Sequence, residues 1–220
     1  MADEKNFYGF DETTKSEGST GGLTGILDNF ELPLAGGENA KKDGTSAITV
    51  LAFNFERGNF KFRHTEMPVN PEFVKKNAVD YPATANLDIK DPSYGLDLKK
   101  GDSITPDDAV KLAYRDLNIR VKHILTKFMS DADAVIKAKD WKDYCDQISA
   151  KVKANTKDKK VRLKIVYNKA GFLSFPKFVP FIESMDVKET KLTINPKYDK
   201  LSKETPDTNT TKKATTEEEF

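Results

Sequence analysis

The chain has 220 residues, with 36 Lys and Arg against 35 Asp and Glu, two His, one Cys, and 37% hydrophobic and 32% charged residues. That length supports one domain with a real core, and the low apolar fraction places part of it in solvated tails. Apolar runs of only a few residues exclude a membrane span, a single Cys145 excludes a disulfide framework or Cys-rich zinc site, and a polar, acidic start carries no secretory signal, so a reducing cytoplasm is the expected compartment.

The net charge of +1 is an average over unlike segments. Residues 1–45 hold nine acids against four lysines, for −5, and residues 203–220 hold five against three, for −2. Residues 46–202 hold 29 bases against 21 acids, for +8. Sign asymmetry of this kind carries more information than the total.

In chain order, residues 1–22 end in Ser-Glu-Gly-Ser-Thr-Gly-Gly and read as a disordered segment, because they cannot bury enough surface to offset chain entropy. Residues 23–34 are more apolar and fit a short strand or a docking segment, and 35–45 read as a loop. Ser46–Phe55 is β-branched and aromatic, hence a strand. Gly58-Asn59 then makes a two-residue hairpin turn that sets Phe55 opposite Phe62 and Glu56 opposite Lys61. Phe53, Phe55, Phe60 and Phe62 share one face, and Asn54, Glu56, Lys61 and Arg63 the other.

Prolines and glycines divide 65–104 into loops, a short helix near Glu72–Ala78 and extended pieces. Thr105-Pro106-Asp107-Asp108 is a helix start, with Thr as N-cap, Pro at the first helical position and acids in the first turn. The helix runs on with Val110, Ala113, Tyr114, Leu117, Val121, Ile124, Leu125 and Phe128 on one face. A second helix is expected over Ala132–Val152, with Val135, Ala138, Trp141, Tyr144, Cys145 and Ile148 inward. Val161–Tyr167 alternates as a strand, Asn168–Gly171 turns, and Phe172–Phe181 is an irregular or edge strand broken by Pro176 and Pro180. Met185–Ile194 fits a last strand. Strands, then helices, then strands imply an α+β domain over 23–202, a small antiparallel OB-like β-barrel with helices (about 105–152) inserted between early and late strands, flanked by flexible termini.

Catalytic chemistry finds little footing. Cys145 lies on an apolar helical stripe, His123 and His64 read as packing or rim residues, and no G-x-S-x-G, H-E-x-x-H or P-loop occurs. A non-enzyme that needs no cofactor or metal is expected.

Residues 151–177 contain nine bases and one acid, Asp158, for +8, with aromatics interleaved. A cationic groove with exposed rings is what an unpaired nucleic-acid strand requires: the bases neutralise phosphate, and the rings stack on nucleobases at roughly 1–3 kcal/mol each. Arg162, Lys164, Lys169 and Lys177 are the candidate phosphate ligands, and Tyr167, Phe172, Phe175 and Phe178 the candidate platforms. Arg57, Lys61 and Arg63 offer a second surface on the hairpin. The competing account is a solvated basic face over core aromatics.

The chain ends Glu217-Glu218-Glu219-Phe220 after a polar stretch. A basic barrel with an acidic tail ending in Phe resembles the single-stranded DNA-binding proteins of bacteriophage replication. His123–Phe128 (HILTKF) and Val161–Glu183 (VRLKIVYNKAGFLSFPKFVPFIE) are similar to such proteins as well. The resemblance implies an OB fold, cooperative or dimeric coating of exposed single-stranded DNA during replication, recombination or repair, in the cytoplasm of a bacterial host. It also implies that Glu217, Glu218, Glu219 and Phe220 bind a polymerase, helicase or primase. The tail is shorter and less acidic than is usual for that family, with Lys212 and Lys213 upstream. RNA is an equal ligand as far as stacking and phosphate contacts go. The alternative function is a structural or assembly protein, such as a virion component, that binds no nucleic acid.

Overall fold

The computed structural model describes residues 23–40 and 48–202. The N-terminal segment, the start of the expected 46–55 strand and the acidic tail with Glu217–Phe220 lie outside the described residues. The elements are β1 (Gly25–Ala40), β2 (Ile48–Arg57), β3 (Phe60–Glu66), α1 (Pro71–Asp80), β4 (Ile89–Asp91), β5 (Leu96–Leu98), α2 (Pro106–Leu125), α3 (Trp141–Asn155), β6 (Val161–Tyr167), β7 (Leu173–Ser174) and β8 (Ile182–Ser184).

One antiparallel sheet runs in the order β3-β2-β1-β6-β7, and β8 pairs with the other end of β6. The last path strand curls back toward the first. Phe175, just past β7, packs its ring 5.0 Å from Phe62 of β3 and 5.6 Å from Phe55 of β2. The result is a nearly closed antiparallel barrel with three helices, an α+β fold.

β1 makes the curvature. Its first part pairs with β6 and its remainder with β2, and each pairing slips register once. Against β6 the slip falls between Leu27 and Phe30, where Asn29 takes a positive φ of 66°. Against β2 it falls between Glu31 and Leu34, around Pro33, which has no N–H to give the ladder. Such bulges bend a strand and increase its twist. Two sequence expectations, a short strand at 23–34 and a loop from 35, are therefore corrected: both stretches, up to Ala40, belong to one 16-residue strand.

The β2–β3 hairpin has the expected register, with Phe55 opposite Phe62 and Glu56 opposite Lys61. Gly58 supplies φ 57°, the left-handed value that the first central position of a II′ turn needs. Phe53, Phe55 and Phe62 are buried, and Phe60 is half-buried against the same core.

α2 starts as read, with Thr105 Oγ1 accepting from the Asp108 N–H at 3.1 Å and Pro106 in the first turn. Leu117, Val121, Ile124 and Leu125 enter the core, whereas Tyr114 is exposed. The second helix starts nine residues later than expected. Asp140 caps it by accepting from the Asp143 N–H at 2.8 Å, and a Ser130–Asp133 turn occupies the preceding stretch. Val135 is consequently exposed rather than inward. α3 lies against β1 so closely that a Cβ on Gly37 would meet Cys145 Cβ at 3.2 Å and Thr49 Cγ2 at 3.1 Å. Residues 65–104 form α1 and the β4–β5 hairpin, whose Leu96 and Leu98 build a small second cluster with Ala85. The expected strand at 185–194 is absent; the pairing segment is Ile182–Ser184.

Candidate nucleic-acid interface

β6 alternates as the sequence implies. Val161, Leu163 and Ile165 face the core, and Arg162 and Lys164 point away from it. That outer face is covered, however. The chain after β8 folds back across it, so that Tyr167 N–H donates to Lys200 C=O at 2.8 Å and Thr24 Oγ1 to Leu201 C=O at 2.7 Å. Lys164 is buried, its ammonium 3.1 Å from Asp199 Oδ2 and 3.1 Å from Thr193 C=O. Arg162 bridges Asp28 at 2.5 Å and Glu183 at 2.9 Å. Burial tends to raise the Glu183 carboxyl, but the Lys191 N–H, the Thr190 hydroxyl and Arg162 outweigh it and hold the group below the usual carboxylate range. In the folded chain the two candidate phosphate ligands Arg162 and Lys164 are held in ion pairs. Both cations are already neutralised by carboxylates, and reaching a ligand would mean breaking buried ion pairs.

The aromatic platforms divide. Phe175 is 4% exposed, with its ring 4.5 Å from Phe181 in a stacked pair and 4.6 Å from His64. As placed, Phe175 is a core residue whose ring faces offer no surface to a nucleobase. Phe172 and Tyr167 are half-buried, and Phe178 is 68% exposed. Lys169 and Lys177 are exposed, the latter with its ammonium 5.5 Å from the Phe178 ring centroid. On the hairpin, Lys61 pairs with Glu56 at 3.3 Å and Arg63 with Glu38 at 2.6 Å. Arg57 turns to the aromatic side, its guanidinium 5.0 Å over Phe30 and 5.7 Å over Phe60. Arg57 and Arg63 are thus engaged within the fold, whereas the Lys61 pair is largely exposed and weak.

What the geometry leaves is a short, anchored display loop, Pro176–Pro180. Phe175 and Phe181 plug its two ends into the core. Arg120 of α2 donates to both Pro176 C=O, at 2.7 Å, and Lys177 C=O, at 2.6 Å. The same guanidinium lies 4.9 Å over the Phe181 ring and donates through Nε to Glu66 Oε1 at 2.7 Å. His64 Nε2 is 2.8 Å from that oxygen. Burial would raise the Glu66 carboxyl, but the charges and hydrogen bonds of His64 and Arg120 overcome it and keep the group below the usual range. His123, one turn along α2 from Arg120, accepts from the Phe181 N–H at 3.3 Å. Burial first, and then the nearby Lys127 and Arg120 charges, depress it to about 4, so it is the neutral imidazole that accepts. The result holds Lys177, Phe178 and Val179 outside on a loop tied at both ends.

Sequence reasoning missed Glu66 and Arg120 as loop-holding residues. Their signal was faint: a His-x-Glu pair leaving an aromatic strand face, and an Arg on an otherwise apolar helical flank. Cys145 is buried, and burial, with Asp146 adding, pushes its thiol up to about 11, far from the thiolate a nucleophile needs. Among the described residues, no group of three or more His, Cys, Asp or Glu is placed to hold a metal ion, and no helix is long and apolar enough to cross a membrane. Scans against protein-family profiles, curated proteins and solved structures found no match to this chain.

Proposed function

We propose that this protein is a non-catalytic, single-stranded DNA-binding protein built on an OB-like barrel, and that it coats exposed strands in phage DNA replication, recombination or repair. The strand path β3-β2-β1-β6-β7, with the three helices between its third and fourth strands in chain order, supports the OB assignment. The observation that carries the reading is Phe178, 68% exposed beside Lys177 on a loop anchored at both ends. Ring plus ammonium on one exposed loop is the pair that a nucleobase and its phosphate engage. Lys169, Tyr167 and Phe172 sit on the adjacent β6–β7 turn, where barrels of this class present a ligand-binding loop. The tail Glu217–Phe220 serves to recruit a polymerase, helicase or primase.

Titration of a fluorescent oligo-dT with the full chain at low salt tests this, with matched RNA and duplex DNA in parallel. Saturable binding to the single strand that weakens steeply with salt is expected, and no binding at low salt would sink the reading. A structural or assembly role has one observation in its favour: Phe73, Val79 and Tyr81, on and just after α1, are 64%, 64% and 77% exposed. It gains if the oligonucleotide is ignored while the chain forms stoichiometric assemblies.

A further inference from the structure

The nine bases of residues 151–177 do not form one surface. Arg162 and Lys164 are spent on Asp28, Glu183 and Asp199. Lys151, Lys153, Lys157, Lys159 and Lys160 instead gather at the end of α3 and the turn into β6, with Asp158 as the one acid of that stretch. Lys153 and Lys157 are exposed and, among the described residues, form no ion pair. Lys151 and Lys159 donate to the carbonyls of Asp133 and Phe128, which places their ammonium groups without cancelling their charge. Lys160 is 3.6 Å from Glu31, with both side chains at least half exposed, a pair that water screens to little value. Attraction to the helix C-terminus accounts for Lys153, but it fades within the last turn and does not reach Lys159 and Lys160.

This corner is physically continuous with the display loop. β8 pairs Ser184 with Val161, and Met185 N–H donates to Lys160 C=O at 3.1 Å. Phe178 is six residues before Ser184, at most about 20 Å of extended chain. The end of α2 reaches this path, since His123 accepts from the Phe181 N–H just before β8 and Lys127, two residues past α2, lies near Glu183, itself bonded to Arg162, and Asp131, itself paired with Lys122.

Resting on the single-strand reading above, we propose that the strand leaves the barrel at Phe178 and runs along the α2–β8 seam to the α3–β6 corner, where Lys153, Lys157 and Lys160 neutralise its phosphates. The corner is a backbone-binding site without aromatic platforms, so it adds affinity and salt dependence but no base preference.

The test compares the full-length protein with Lys153→Gln/Lys157→Gln/Lys160→Gln in oligo-dT anisotropy titrations over a range of salt concentrations. At about 0.7 per phosphate contact on single strands, the triple variant should flatten the log affinity against log salt slope by about 2. A charge-matched control on and just after the separate β4–β5 hairpin, Lys90→Gln/Lys99→Gln/Lys100→Gln, should leave the slope as it is. Matching thermal midpoints establish that the variants are folded. If loss of the Lys160–Glu31 pair lowers the midpoint, Lys153→Gln/Lys157→Gln alone should flatten the slope by about 1.4. A wild-type slope in the corner variant, or an equal loss in the control, overturns the corner site and leaves the barrel reading standing. Failure of the wild type to bind overturns both.

Discussion

Arg120 donates to Glu66 across 2.7 Å and so ties the C-terminal half of α2 to the end of β3. Both side chains are mostly shielded, at 16% and 13% exposure. Removing one member of such a pair leaves the other charge without its partner, at about 3–5 kcal/mol when burial is complete. The residual exposure here lowers that to roughly 2–4 kcal/mol for Glu66→Gln. Urea unfolding measures it. The double variant Glu66→Gln/Arg120→Met should recover part of the loss, as coupled neighbours do. Strict additivity of the two single changes would show that the pair is not an energetic unit.

Acid should weaken this fold in two stages. His123 is held at about 4 against an unfolded value near 6.5. Between those values the unfolded chain binds more protons, so stability falls as pH drops from about 6.5 toward 4. Glu66, held below its ordinary 4.5, adds a loss in the same direction that begins only under that value. His123→Gln keeps an acceptor for the Phe181 N–H and removes the titration. Its urea midpoint should be flatter than the wild type's from pH 6.5 to 4 and parallel to it below. An unchanged slope in the upper window would show that His123 protonates in the folded state at no cost.

How much of this was legible in the sequence depends on how local the physics is. The β2–β3 register follows from a two-residue turn and strict alternation, and the α2 start from three adjacent residues, so both could be read directly. β1 could not, because its length is set by two partners, β2 and β6, and its bulges at Asn29 and Pro33 look like loop signals when the strand is read alone. The environment of the candidate site was hidden for the same reason. Arg162 and Lys164 do alternate outward, but the acids that neutralise them come from 134 residues earlier and from 21 and 35 residues later. A charge run can be counted in a sequence; its counter-ions are found only in the fold. Phe175 and Phe178 are three residues apart and equivalent by composition, yet one closes the barrel and the other stands in water.

That last contrast gives a clean separation of roles. Phe175→Ala empties a site packed against Phe62, His64 and Phe181, and should cost about 3–5 kcal/mol of stability. Phe178→Ala touches little in the folded chain and should leave the unfolding midpoint within error. On single-stranded DNA the order reverses: Phe178→Ala should weaken binding by about 1–3 kcal/mol at constant salt. Phe175→Ala, measured well below its unfolding temperature, removes one of the two anchors of the Phe178 loop and should weaken binding less than Phe178→Ala does. Equal affinity for wild type and Phe178→Ala would remove the ring from the interface.

The pair Lys164–Asp199 makes the complementary case, a cation whose loss looks functional but acts through folding. Asp199 Oδ2 receives the Lys164 ammonium at 3.1 Å and the Asn195 N–H at 2.7 Å, so one carboxylate pins the returning 193–201 segment to β6. In Asp199→Asn the ammonium keeps neutral acceptors but loses its counter-charge, and about 3–5 kcal/mol should be lost. Lys164→Met also removes the buried cation and leaves Asp199 its Asn195 contact. Combining the two changes should cost less than their sum by at least about 1 kcal/mol. The decisive measurement is the salt slope of oligo-dT binding for Lys164→Met at a temperature where it is fully folded. A buried, neutralised lysine releases no counterions, so the slope should equal the wild type's. A drop of about 0.7, one phosphate's worth, would return Lys164 to the interface and require the 193–201 segment to open when DNA binds.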